Sequence, residues 1–253
     1  PASWPGGWPR CDRRSPPVLT VRGLPQDQAA LKYPVDISGM VTYYDPVWRI
    51  LFIQDESGSI YIDAKQRSYN LPPGDRVHVR GISDPGGYAP MVVATSLEKV
   101  GRGEVPQARK VPYGRLMSGA EDSHWVEMEG AIQAVTRSQK NLQLQFLGPE
   151  GPFEGVLMGE AGNLNATNLV GKLVRVQGVC GVKANNQRQV IGLYMHIPGS
   201  DFVEFVDPAS SEEKAPLVPL AELTTFNPDL QEGLLSRKVK VQGTVTYAGS
   251  AGL

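Results

Sequence analysis

Cysteine is nearly absent, with only Cys11 and Cys180 in 253 residues. Two thiols exclude a disulfide-framed scaffold and a cysteine-rich zinc site. An excess of either charge is also missing: 25 Lys and Arg face 26 Asp and Glu, a formal net charge of −1. The chain as a whole therefore lacks the basic surplus of a nucleic-acid protein. No apolar run approaches the roughly 18 residues a membrane-spanning helix needs. Histidine is confined to His78, His124 and His196, which fall in separate segments with no metal-ligand spacing around them. Phosphate-cradling glycine loops, Gly-x-Ser-x-Gly and His-Glu-x-x-His are all lacking. Cys180 sits between Val179 and Gly181 in a strand pattern, which suits a small buried residue rather than a nucleophile. No catalytic residue, metal ligand or cofactor is expected, and the chain is not expected to be an enzyme.

Glycine and proline, by contrast, are abundant. The 28 Gly and 21 Pro make up about a fifth of the chain, against roughly 12% in an average protein. Helix interiors tolerate neither residue, which argues against a mainly helical fold. Hydrophobic residues still make up 41%, enough for one large core or two smaller ones.

Three segments share one alternating pattern around a glycine. They are Val35-Asp36-Ile37-Ser38-Gly39-Met40-Val41, Val126-Glu127-Met128-Glu129-Gly130-Ala131-Ile132 and Val239-Lys240-Val241-Gln242-Gly243-Thr244-Val245. A period of two marks a half-buried strand. The central glycine predicts a bulge or bend of the kind that turns a barrel corner. A second motif recurs in the first two units, from Gly74 to Gly81 and from Gly171 to Gly178. A short lead-in precedes each bent strand, at 18–24, 108–113 and 216–220.

The first unit predicts strands at 35–44, 49–54, 59–63, 76–81 and 91–97, with an irregular or helical piece at 64–71. The second unit follows the same plan, with its corresponding piece at 162–169. Five short strands, a bent first strand and an element between the third and fourth fit a Greek-key five-stranded OB barrel. The expected class is all-β with minor helix: two OB-like barrels in tandem and the first strand of a third. The division reads as a leader without periodicity (1–17), barrel 1 with its lead-in (18–101), a linker (102–124), barrel 2 (125–207), a second linker (208–236) and the start of a third barrel (237–253). The chain reads as a fragment of something longer.

OB barrels bind on the face of strands 2 and 3 and with the loops joining strands 1–2 and 4–5. In unit 1 those loops bring Tyr43, Tyr44, Trp48 and Tyr88 together beside Asp45 and Asp84. An aromatic platform with acidic neighbours suits a sugar, an apolar or cationic small molecule, or a protein. The competing reading is that these aromatics plug the barrel mouth or pack against the neighbouring unit, since alternate strand residues must face inward in any barrel. In unit 2 the same loops carry Arg137, Lys140, Lys183, Asn185 and Arg188 and no aromatic. Such loops are either simply solvated or contact something anionic. Residues 34–101 and 125–207 each hold six Lys/Arg against eight Asp/Glu. Neither barrel has the cationic drive of phosphate binding, so nucleic acid is not the favoured partner.

The stretch from Ser38 through Val41-Thr42-Tyr43-Tyr44-Asp45-Pro46-Val47-Trp48 to Asp55, followed by Gly58-Ser59-Ile60-Tyr61-Ile62-Asp63, is distinctive. With Leu71-Pro72-Pro73-Gly74-Asp75, Asp84-Pro85-Gly86-Gly87-Tyr88 and Val176-Gln177-Gly178-Val179-Cys180-Gly181, it resembles the tandem OB-like sensor region ahead of the transmembrane helix in some bacterial sensor histidine kinases. That resemblance implies an extracytoplasmic, non-catalytic input module that binds a small molecule or a protein. It implies a kinase core in a following segment, a membrane connection outside this chain and a possible homodimer, with linkers 101–122 and 207–236 absorbing any rearrangement. A second resemblance, at 52–60, is to the strand-turn-strand of nucleic-acid OB domains, although an Asp-x-x-Gly turn accounts for it whatever the barrel binds. The rival functions are a cytoplasmic tandem OB protein binding single-stranded nucleic acid, and a structural spacer.

Overall fold

The computed structural model describes residues 17–64, 68–138, 141–159 and 169–206, together with Leu217 and residues 240–244. Two short helices, α1 (Val18–Arg22) and α2 (Gln26–Ala29), lead into five strands. These are β1 (Pro34–Asp45), β2 (Ile50–Gln54), β3 (Ser59–Asp63), β4 (Asp75–Asp84) and β5 (Met91–Arg102). They close into a barrel of order β1-β2-β3-β5-β4. β3 runs parallel to β5, through Ile62 and Val92, and β1 closes antiparallel onto β4, Val35 opposite Gly81. Alternate residues such as Ile37, Leu51, Ile53, Ile60, Ile62, Val77 and Val79 point inward and form one core.

The second unit repeats this ring. After β6 (Arg109–Lys110) and α3 (Tyr113–Met117) come β7 (Trp125–Ser138), β8 (Asn141–Leu147), β9 (Pro152–Leu157), β10 (Leu173–Ala184) and β11 (Val190–Ile197). β9 again runs parallel to β11, and β7 again closes onto β10. A short β12 (Val203–Phe205) extends the sheet beside β10. The fold is all-β with minor helix, two five-stranded Greek-key OB-like barrels in tandem.

The glycine motif has the same function in both units, though not the one its pattern predicts. The bulges lie at Thr42 and Gln133, each three residues beyond the glycine. Gly39 and Gly130 are instead places where strand 1 crosses closely over strand 2. A Cβ would lie 3.2 Å from the Gln54 carbonyl at Gly39 and 3.2 Å from the Leu147 carbonyl at Gly130. Gly74 and Gly171 open strand 4 at φ 92° and 81°, left-handed values that favour glycine. The closing glycines abut backbone: a Cβ would strike the carbonyl of Val93 at Gly81 and come 2.5 Å from that of His196 at Gly178.

The first lead-in is helical, and the second holds the short strand β6 before running into α3. Pro17 and Pro112 stand at the N-caps of α1 and α3, and Val21 and Leu116 four residues on are buried at the base of their barrels. A carboxylate from the β2–β3 turn, or its counterpart, meets the first helical amide: Asp55 accepts from Val18 at 2.8 Å, and Glu150 from Tyr113 at 3.3 Å. Asp55 also accepts the amides of Ser57 and Gly58, so its Asp-x-x-Gly sequence is occupied in making the turn. Helices of five residues are too short to show a 3.6-residue period. Of the predicted 162–169 piece only Leu169, which is buried, is described. The leader and most of the second linker and third unit lie outside the described residues. A parallel bridge joins Leu217 to Lys240, in the manner that β6 meets the start of β7.

Candidate binding faces

The bulge at Thr42 decides where the tyrosines go. One extra residue reverses the alternation of a strand. Val41 and Tyr44 both enter the barrel 1 core, and Tyr43 between them points out. The Tyr44 hydroxyl accepts the Tyr69 amide at 2.9 Å. Tyr43 stands opposite Phe52 on β2, and Phe52 opposite Tyr61 on β3. These three rings form a row across the outer face that OB barrels use for ligands.

Barrel 2 covers that row. The His196 imidazole lies 4.8 Å from the Tyr43 ring and 5.1 Å from Phe52, with Tyr194 edge-on to it at 4.6 Å. Trp125 and Val179 complete the contact, both buried, and Phe202 packs edge-on against Trp125 at 5.3 Å. Burial raises the Tyr43 and Tyr194 hydroxyl pKa values, with the Asp45 charge adding to both. Burial also pushes the His196 pKa down to about 3, against the opposing pull of Asp45. The imidazole at this junction is therefore neutral at ordinary pH.

Polar contacts tie the edges of the junction. Asp45, 1% exposed, accepts the amides of Val47 and Trp48 through Oδ1 and the Asn141 side-chain amide through Oδ2 at 3.0 Å. Arg22 of α1 donates to Asp122 at 2.8 Å, and Asp122 also accepts the Val182 amide. Beside it, buried Glu121 takes Arg109 and Arg115. The first linker, predicted to absorb rearrangement, is thus pinned at its C-terminal end.

The six residues predicted as an aromatic platform do not form an open cluster. Tyr43 and Asp45 lie in the junction and Tyr44 in the core, and all three are buried. Trp48 is half-buried at the turn. Asp84 accepts the Gly86 amide within its own turn. The Tyr88 hydroxyl lies against Gly119 at the end of the linker, where any Cβ would collide with it. The packing alternative is what the structure shows for Tyr43, Tyr44 and Tyr88.

In barrel 2 the equivalent row is Ala134, Gln145 and Glu154. Gln145 and Glu154 are exposed, as are Thr136 and Gln143 beside them. Lys183 pairs with Glu154 at 2.6 Å. Arg137 and Arg188 are exposed and have no ion-pair partner among the described residues. Asn185 is a turn residue, its Oδ1 accepting the Gln187 and Gln189 amides. Lys140 lies outside the described residues.

Two clefts occupy corresponding places on the barrels, beside the glycine of strand 1 and the start of the lead-in helix. One of about 850 Å³ is lined by Gly39, Gln54, Ser57 and Arg76. The other, about 180 Å³, is lined by Tyr113, Glu127, Phe153 and Arg175. In the smaller one Glu127 is already paired with Lys110 and Arg175, both at 3.3 Å. Among the described residues no three His, Cys, Asp or Glu side chains converge on a metal position. No described helix is long and apolar enough to cross a membrane. The Cys180 thiol is buried, with its pKa pushed up to about 12, which leaves it without thiolate character.

The residues that sequence reasoning missed are Phe52, Trp125, His196 and the Arg22–Asp122 pair. Trp125 alone left a trace, as a bulky aromatic heading strand 1 of the second unit. The others depend on contacts between barrels, which strand patterns do not record.

No family model matches the chain, and no curated protein matches it. Among solved structures it is similar to the hypothetical protein ygiW from E. coli, at 18% identity over 40% of this chain and 98% of that one, with a TM-score of 0.29. It is also similar to the tetrameric p202 HIN2, at 11% identity over 70% and 93%, with a TM-score of 0.31. A murine DNA binding protein bound with ds DNA matches at 14% identity over 69% and 95%, with a TM-score of 0.32. Likenesses of this degree assign no function.

Proposed function

We propose that this chain is a non-catalytic binding module in which barrel 1 is the support and the outer face of barrel 2 is the contact surface. The observation that carries this reading is the register comparison. The same three strands present Tyr43, Phe52 and Tyr61 to a neighbouring barrel in one unit, and half-buried Ala134 with exposed Gln145 and Glu154 in the other. A face of glutamine, threonine and one neutralised ion pair suits a hydrogen-bonding partner, either a small polar molecule or a protein segment. The extracytoplasmic input role ahead of a histidine kinase rests on the sequence resemblance. The test is side-chain amide NMR of Gln143 and Gln145 during a screen of sugars, amino acids and peptides. Shifts confined to these amides support the reading, and shifts elsewhere with these unmoved oppose it.

A specific observation favours a second reading. Arg137, near the end of β7, and Arg188, in the β10–β11 turn, are exposed and without ion-pair partners among the described residues. Guanidinium groups without a neutralising partner are the kind of charge that phosphate contact uses. Against it stand the net acidic barrel and the lack of an exposed aromatic row for stacking bases. One of the similar structures holds double-stranded DNA, so single-stranded and duplex oligonucleotides both belong in the titration. Saturable, salt-sensitive binding lost in Arg137→Glu with Arg188→Glu establishes nucleic acid as the partner. Absence of binding at low salt removes it.

A further inference from the structure

Barrel 1 carries an aromatic row where OB barrels take ligands, and the occupant of that row is a ring from the other barrel. The His196 imidazole is tilted 50° to Tyr43 and 47° to Phe52, at centroid distances of 4.8 and 5.1 Å. Such tilted, offset contacts are those an aromatic surface makes with any planar ring. The fit is incomplete in its polar groups. His196 Nδ1 and Trp125 Nε1 are both buried with no hydrogen-bond partner among the described residues. Unmet buried donors and acceptors disfavour the closed arrangement relative to one in which water reaches them. Among the described residues, the ties at the edge run from Arg22 to Asp122, from Asn141 to Asp45, and from Tyr88 onto Gly119. Covalent linkage runs through residues 103–108 between β5 and β6.

We infer that the row Tyr43, Phe52 and Tyr61 is a second ligand site, for a planar uncharged heterocycle, and that His196 is its internal occupant. Ligand and barrel 2 then compete for one face, and the closed pair is the self-inhibited state. A ligand of this kind shifts the arrangement only to the extent that it binds the open state better. The site is distinct from the polar face of barrel 2, and its chemistry is opposite: apolar stacking rather than hydrogen bonding. The ring that fills it is held neutral by burial, so the row is matched to an uncharged guest. A protonated ring would lose its hydration there with only the Asp45 charge in partial compensation, and an anionic ring would be both desolvated and repelled by Asp45.

The test compares the wild-type chain with an unlatched variant, Arg22→Ala with Asn141→Ala, both substitutions outside the aromatic row. Adenine serves as the probe, with calorimetry for affinity and small-angle scattering for the separation of the barrels. The inference predicts adenine binding at least tenfold tighter in the unlatched chain, a wider scattering profile on adding adenine, and loss of both when Phe52→Ala is added. Glu98→Gln, at an exposed position of β5, leaves the affinity unchanged. Equal affinity in the two chains, binding that survives Phe52→Ala, or an unlatched chain that stays closed and binds nothing each overturns it.

Discussion

Barrel 1 and barrel 2 share their strand order, bulge position, closing glycines and helix-capping carboxylates, yet their outer faces are opposite in character. Where barrel 1 has Tyr43, Phe52 and Tyr61, barrel 2 has Ala134, Gln145 and Glu154. The residues that make the ring are inward-facing or backbone-constrained, and they are repeated. The residues that decide what the ring touches point outward, and they have diverged. One face was built to be covered and the other to be wetted, and that division of labour follows from a three-residue row.

The largest expected effect comes from acid, because it acts on barrel 1's face through its occupant. The unfolded chain protonates His196 near pH 6.5, while in the folded chain its pKa is about 3. The unfolded state therefore binds more protons between these values, and stability falls as pH falls through that window. From pH 7 to pH 4 the His196 contribution is a loss of about 3 kcal/mol. It is measured as the difference in denaturant midpoint between wild type and His196→Gln at the two pH values. No His lies in the Ala134, Gln145 and Glu154 row, so nothing equivalent is expected from barrel 2's face.

Truncation of the two central residues gives a contrast of similar size. Phe52→Ala removes a ring packed between two barrels and is expected to cost about 3 kcal/mol. Gln145→Ala on the exposed face is expected to stay within about 0.5 kcal/mol. Urea denaturation of both variants measures the contrast, and equal costs would break the comparison. Writing barrel 1's row onto barrel 2, as Ala134→Tyr with Gln145→Phe, sharpens it further. An uncovered aromatic face is expected to produce concentration-dependent self-association by sedimentation. Arg22→Ala, which loses a half-buried tie between the units, is expected to cost about 1 to 2 kcal/mol. Lys183→Ala, which breaks an exposed pair on the open face, is expected to cost less than about 0.5 kcal/mol.

Much of the ring was legible in the sequence. The third strand falls at 59–63 as its alternation predicts, the first is a residue longer at each end, the second starts a residue later, and the fourth and fifth run three and five residues beyond their expected ends. Turn glycines marked Gly74 and Gly171 because few other residues hold those backbone angles. The bulge was not legible at its true place. Thr42 and Gln133 are ordinary strand residues, and only pairing with a partner strand reveals an extra one. That displacement is what turns Tyr43 out of the barrel and makes it a junction residue, so the aromatic platform could not be sorted from its local pattern. The lead-in helices were hidden by brevity. The Arg22–Asp122 and Asp45–Asn141 ties join residues about a hundred apart, and no spacing rule connects them.

The central claim is that the same strand face is closed in barrel 1 and open in barrel 2, and solvent paramagnetic relaxation tests it in a single spectrum. With a soluble gadolinium chelate, the account predicts that the ring signals of Phe52 and Tyr43 keep their intensity while the side-chain amide of Gln145 is broadened away. Equal broadening of the Phe52 ring and the Gln145 amide would contradict it.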